Sequence, residues 1–173
     1  MLNIIRKYSN ISKILDLSKN KNKIKYLNNH EVVKLILDNK LYSIDPDIKS
    51  KSNFSGKLGE NLYEDYLLLT NTNYKKQYSI ENYRLDFLTN SKIIEVKTTI
   101  YNDKKYENII YTPFKYFNIS KKLKKNIDII MIGYDKDLFD YNYQNNQLFK
   151  NHIDNLKLHK INYVFFQDLL KNI

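Results

Sequence analysis

Apolar and polar positions divide the middle of the chain into short elements. Leu58, Leu62, Tyr66 and Leu69 recur at helical spacing, and Ser55-Gly56 offers an N-terminal boundary for that helix. Tyr74 to Ile80 then reads as a strand, and Tyr83–Leu88 and Ile93–Thr98 as two further strands joined by the polar turn Asn90-Ser91. After the polar stretch 101–107, read as a loop, Thr112-Pro113 suits a helix start, with Phe114, Phe117, Ile119 and Leu123 as inward positions. Ile127 to Tyr134 is almost wholly apolar and reads as a buried strand ended by Gly133 and Asp135. Residues 136–160 are hydrophilic and tyrosine-rich, and Tyr163 to Leu170 reads as a strand running into a helix. Upstream, residues 1–17 and 30–37 read as helices, Asp45-Pro46-Asp47 as a turn, and Lys49 to Asn53 as a polar linker. The expected organisation is one compact unit: an N-terminal helical extension over 1–50 packed on an α/β domain over 51–173.

The hairpin carries charge where an apolar interior is expected. Period two puts Glu95 and Lys97 on one face of their strand, with Ile94 and Val96 on the other. A two-residue turn at Asn90-Ser91 sets Asp86 directly opposite Glu95, whereas a three-residue loop makes the two diagonal neighbours. Facing residues have Cβ atoms about 4.5–5.5 Å apart, and like charges there are destabilising. A divalent cation between them relieves that repulsion. Mg²⁺ is commonly held by one or two carboxylates together with water and substrate phosphate. Such an ion acidifies water and neutralises charge on a phosphate undergoing displacement. Lys97 points its ammonium at the same place, where it can stabilise developing negative charge. The bland alternative is a half-exposed hairpin with a surface Glu–Lys pair, which contributes little to stability.

The helix upstream adds Glu60 and Glu64, one turn apart on one face. An acid on a helix, an acid on a strand and then Glu95-Val96-Lys97 resembles, over roughly residues 55–135, the motif order of the PD-(D/E)XK, or restriction-endonuclease-like, nuclease superfamily. Gly59-Glu60 also resembles the glycine–glutamate start of the first helix in archaeal Holliday-junction resolvases. Leu85 stands where a proline often precedes the hairpin acid. The resemblance implies an αβββαβ core, with a mixed sheet flanked by helices. It further implies one or two Mg²⁺ or Mn²⁺ ions held by Glu60, Asp86, Glu95 and the main-chain carbonyl of Val96, with Lys97 assisting catalysis. Glu64 competes with Glu60 as the helix ligand, and Glu60 can also be read as a first-turn acid that favours the helix dipole. Gln77, on the strand before the hairpin, is a candidate auxiliary polar group. Many enzymes of this fold act as dimers, so the resemblance extends to a homodimer.

Composition points to the partner. The net charge of +10 favours an anionic one, and Lys57, Lys104, Lys105, Lys115, Lys121, Lys122, Lys124 and Lys125 flank the acids. Tyr106, Tyr111, Phe114, Tyr116 and Phe117 interleave with them; most are read as core, with lysines supplying phosphate contacts. Alanine and tryptophan are absent, and Lys, Asn, Ile and Tyr abound, which follows AT-rich codon usage of the kind seen in viruses, organelles and low-GC bacteria. The acids are equally available to such codons, so the excess of positive charge stands. Absence of cysteine excludes disulfides and thiolate metal sites and suits a reducing compartment. No long apolar run indicates a membrane span, so a soluble intracellular protein is expected. With glycine only at 56, 59 and 133, a phosphate-cradling glycine loop is excluded. His30 on its helix invites comparison with viral RNA endonucleases, but a surface position is the stronger reading. The expectation is metal-dependent phosphodiester hydrolysis in DNA, endonucleolytic rather than exonucleolytic. RNA cleavage and a non-catalytic nucleic-acid-binding subunit are the alternatives.

Overall fold

The computed structural model describes residues 51–98, with side chains from Gly56, and residues 116–170. The N-terminal extension, the polar loop 101–107, the Thr112-Pro113 helix start, His30, Lys104, Lys105 and Lys115 lie outside the described residues. In chain order the elements are α1 (Lys51–Leu69), β1 (Tyr74–Ile80), β2 (Tyr83–Thr89), β3 (Lys92–Thr98), α2 (Phe117–Leu123), β4 (Asn126–Ile132), α3 (Lys136–Asn145), α4 (Gln147–Leu158), β5 (Ile161–Phe165) and α5 (Phe166–Leu170). The five strands form one sheet in sequential order. β1, β2 and β3 pair antiparallel, and β3, β4 and β5 pair parallel, so the sheet is mixed. The protein is an α/β fold with helices flanking a five-stranded sheet. None of the described helices is long and apolar enough to cross a membrane.

The two faces of the sheet have separate cores. On one, Leu58, Leu62, Tyr63 and Leu67 of α1 pack with Phe166 of α5 against Phe87, Ile94, Val96, Ile130 and Ile132. On the other, Tyr116 and Ile119 at α2 and Ile153 and Leu156 of α4 cover Ile93, Ile127, Ile129 and Met131. β4 is therefore buried from both sides, as its unbroken apolar run requires. It ends at Gly133, whose φ of 81° is open to glycine and strained for a side chain.

Two expectations are corrected. Lys51 to Asn53 belong to α1, not to a linker, and Ser55-Gly56 lies inside the helix rather than at its start. Nothing lies within 4 Å of a Cβ built on Gly56, so that glycine costs only its propensity, about 1 kcal/mol, and no proline blocks the extra turn. The hydrophilic stretch 136–160 holds α3 and α4. Asp135 caps α3 by accepting from the N–H of Leu138 at 3.0 Å, and Asn146 caps α4 by accepting from that of Phe149 at 3.1 Å.

Candidate active site

The hairpin turn is the two-residue form. Phe87 pairs with Ile94 and Leu88 with Ile93, which places Thr89 and Lys92 around Asn90-Ser91. Thr89 Oγ1 accepts from the N–H of Lys92 at 3.0 Å and closes the turn. The same register sets Asp86 opposite Glu95. There the backbone ladder gives way to a side chain: the N–H of Val96 donates to Asp86 Oδ2 at 2.8 Å. Leu85 and Phe87, two residues apart, lie in different cores, so β2 switches faces at Asp86. On β1, Tyr74 leans on the first core and Tyr78 on the second, with Gln77 between them opposite Asp86. Gln77 has φ 54°, in the left-handed region, and the backbone reversal of sides is centred on it.

Glu95 is 5% exposed. Its Oε1 lies 2.7 Å from Lys97 Nζ, and Tyr116, buried in the second core, also hydrogen-bonds it. Burial, together with the charges of Glu95 and Asp86, pushes the Tyr116 hydroxyl pKa up and keeps it a donor. The other carboxylate oxygen, Oε2, is buried without a hydrogen-bond partner among the described residues. Across the hairpin, burial first and then the charge of Glu95 push Asp86 up to about 7, with Glu60 adding to the rise. The Val96 N–H and the Lys97 ammonium act in the opposite direction.

Of the two helix acids, Glu60 stands by this pair. Gln77 Nε2 donates to Glu60 Oε2 at 2.8 Å, and Lys57 lies 3.8 Å from the same oxygen. Glu64 is occupied elsewhere: it accepts from the Tyr74 hydroxyl at 2.9 Å and from Lys76 Nζ at 2.7 Å, tying α1 to β1. Because α1 begins at Lys51, Glu60 lies well inside the helix, and the first-turn dipole reading does not apply. Gly59 makes the placement sterically feasible, since a Cβ there would sit 1.7 Å from Thr98 Oγ1 at the end of β3.

Among the described residues, no group of three or more His, Asp or Glu side chains is gathered into a ready-made metal shell. The convergent pair is Asp86 and Glu95, with Glu60 alongside. That pair fits a divalent cation, which needs only one or two carboxylates besides water and phosphate. It presents a buried carboxylate oxygen without a donor among the described residues, and a facing acid whose charge is disfavoured by burial and by like charge. No family model matches this chain, and no curated protein or solved structure is significantly similar to it.

The basic residues are distributed unevenly. Lys125 Nζ donates to the carbonyl of Thr89 at 2.9 Å and to that of Asn90, so it fastens the hairpin turn rather than facing solvent freely. Lys122 pairs with Glu81, Lys121 lies over the Phe117 ring at 4.2 Å, and Lys124 is exposed at the left-handed end of α2. A concavity of about 340 Å³ between α3, α4, β5 and α5 is lined by Phe139, Tyr143, Tyr163, Lys136, Lys157 and Asp168 among others. None of the candidate site residues lines it, and its lysines are engaged internally, Lys136 by Asp140 at 2.5 Å and Lys157 over the Tyr143 ring. Tyr116 is the site residue that sequence reasoning grouped with the basic stretch and did not connect to Glu95. It lies 21 positions downstream of Glu95, and only tertiary packing brings them together.

Proposed function

We propose that this chain is a divalent-metal-dependent nuclease that hydrolyses phosphodiester bonds in DNA, with the restriction-endonuclease-like arrangement its motif order resembles. The observation that carries the reading is the buried Oε2 of Glu95, without a hydrogen-bond partner among the described residues, on the residue opposite Asp86 across the hairpin. The described order of helix, three strands, helix and strand supports it, as does the basic charge of the whole chain. Asp86 and Glu95 would hold Mg²⁺ or Mn²⁺, with Glu60 beside them and the Val96 carbonyl as a further oxygen. When bound, the ion would lower the pKa of water and neutralise charge on the scissile phosphate.

The protein's own groups prepare the site. The Val96 N–H fixes one oxygen of Asp86, and Tyr116 and Lys97 orient Glu95. Lys97, only partly buried, keeps its ammonium where charge develops on the phosphate as the bond breaks. Lys57 stands at the rim of the same site and can take up a neighbouring phosphate.

Purified protein incubated with plasmid, branched DNA, single-stranded DNA and RNA, each with Mg²⁺, Mn²⁺ or EDTA, tests the reading. DNA should be cut with either metal and left intact in EDTA. Cleavage of RNA alone transfers the substrate to RNA. Nucleic-acid binding with no cleavage under any condition identifies a binding subunit and ends the nuclease reading.

A further inference from the structure

Gln77 belongs to neither the acids nor the lysine, yet three features mark it out. It is a non-glycine residue at φ 54°, inside a strand, where an extended backbone would otherwise continue. Its Nε2 donates to Glu60 Oε2 at 2.8 Å. Its Oε1 is buried with no hydrogen-bond partner among the described residues.

The sheet explains how these features connect. The pairs Lys76↔Phe87 and Tyr78↔Leu85 bracket Gln77 and Asp86, so the left-handed residue lies directly across from the hairpin acid. With ordinary extended backbone, positions 76 and 78 would face the same side. Here Lys76 reaches Glu64 on α1, whereas Tyr78 packs into the core on the opposite face. The reversal gives Gln77 a direction that neither neighbour takes, toward Glu60 and the place where β2 and β3 lose their backbone ladder.

We propose that Gln77 is a positioning residue of the site, which acts through Glu60 by holding its carboxylate against the Asp86–Glu95 pair. Without that bond, Glu60 is a half-buried acid beside two others, and repulsion favours rotation of its side chain toward solvent. The backbone strain at position 77 is retained because the amide needs this orientation. An amide suits the task. It donates to a carboxylate without adding charge, so it leaves the net negative charge of the site available for a cation. Its spare oxygen can accept from water drawn in with the ion. The inference rests on the metal-binding reading of the hairpin.

The test uses Mn²⁺ alone, titrated calorimetrically into the metal-free full chain, together with thermal unfolding. Gln77→Gly removes the amide and suits the left-handed backbone, so its unfolding midpoint should equal or exceed that of the wild type. Its Mn²⁺ affinity should fall about 10–100-fold, the usual effect of losing a group that orients a ligand. Gln77→Asn keeps an amide but is one methylene short, and it should bind Mn²⁺ as weakly as the glycine variant. In a Glu60→Gln background, Gln77→Gly should cost little further affinity, because the residue through which it acts is already altered. Wild-type affinity in Gln77→Gly overturns the inference and leaves the metal site standing. An equal loss in the Glu60→Gln background shows that Gln77 acts by another route. If the wild type itself binds no Mn²⁺, the site reading falls and this inference falls with it.

Discussion

Glu95 on β3 and Asp128 on β4 are both 5% exposed, on neighbouring parallel strands, yet their surroundings are opposite in kind. Asp128 is complete. Lys92 Nζ lies 2.5 Å from Oδ2 and Asn162 Nδ2 donates to Oδ1 at 3.3 Å, so each oxygen has a donor. Glu95 has one oxygen held by Lys97, the other without a hydrogen-bond partner among the described residues, and a second acid opposite it across the hairpin. Folding alone explains Asp128, since a buried carboxylate persists when its lone pairs are met. Glu95 does not meet that condition among the described residues, and the proposed cation is what would meet it.

The largest effects should separate the two acids by what they damage. Glu95→Gln should reduce metal-dependent cleavage by at least about 10²–10³ while leaving the unfolding midpoint in metal-free buffer unchanged or raised. Asp128→Asn should do the reverse. It weakens a buried charge-assisted bond at a cost of about 1–3 kcal/mol, yet should cut at close to the wild-type rate per folded molecule. Measuring both rate and midpoint for each variant decides the matter. Loss of stability without loss of cleavage in Glu95→Gln would mean that the two acids are alike and both structural.

Lys97 and Lys92 extend the comparison to the bases, for each serves one of these acids. Lys97→Ala should lower the cleavage rate by on the order of 10²–10³ with Mn²⁺ binding largely kept, because an ammonium does not coordinate the ion. Lys97→Met, which retains the aliphatic stem, should be nearly as slow. Lys92→Met should affect only the unfolding midpoint. Wild-type rates in both Lys97 variants would make that lysine a structural partner, as Lys92 is.

The facing acid pair should also leave a pH signature. Folding raises Asp86 from the ordinary carboxylate range to about 7, so the folded protein binds its proton more tightly than the unfolded chain. The associated stability is therefore fully present below pH about 4 and is lost as the pH rises toward about 7. Asp86→Asn keeps an oxygen for the Val96 N–H and removes the titration. In metal-free buffer at pH 8 it should be more stable than the wild type by on the order of 2–4 kcal/mol, and the difference should vanish near pH 4. Added Mg²⁺ at pH 8 should stabilise the wild type and not the variant. A stability difference that does not change with pH would contradict the burial and repulsion assigned to this pair.

The smallest expected effect concerns the lysines outside both acid sites. Replacing Lys121, Lys122 and Lys124 with glutamine should lower the slope of log affinity for DNA against log salt by at most about 3, roughly 0.9 for each phosphate that is no longer neutralised. Lys125 is left in place because it holds the hairpin turn. An unchanged slope would make α2 an ordinary solvated face.

How much of this was legible in the sequence depends on the range of the interaction concerned. The strands were readable, because period-two alternation is a local signal, and the polar turn narrowed the hairpin register to two choices. The pairing of Phe87 with Ile94 is the register of the two-residue turn, one of the two that the sequence offered. The buried strand β4 was readable from its unbroken apolar run. The start of α1 was not, since Ser55-Gly56 looks like a boundary unless it is known that Gly56 faces open space. Nor were α3 and α4, although Phe149, Ile153 and Leu156 have helical spacing and Asp135 and Asn146 are good caps, because abundant tyrosine and asparagine masked the apolar stripe. At the site, Asp86, Glu95 and Lys97 came from strand geometry. The choice of Glu60 over Glu64, the role of Tyr116 and the left-handed Gln77 depend on contacts across 10 to 21 positions, which no local pattern encodes: Glu64 with Tyr74, Glu60 with Gln77 and Glu95 with Tyr116.

Gly59 has one more consequence, concerning spacing. Three acids brought near one another would ordinarily relax by drifting apart, and a helix that packs loosely on a sheet could let them. Here the α1 backbone rests so closely on the end of β3 that a single methyl group has no room between them. The site's width on that side is thus set by hard contact between backbone and Thr98, in the way a machined shoulder sets the travel of a shaft. Charge supplies the tension in the gap, and the missing side chain of one residue fixes how wide the gap is.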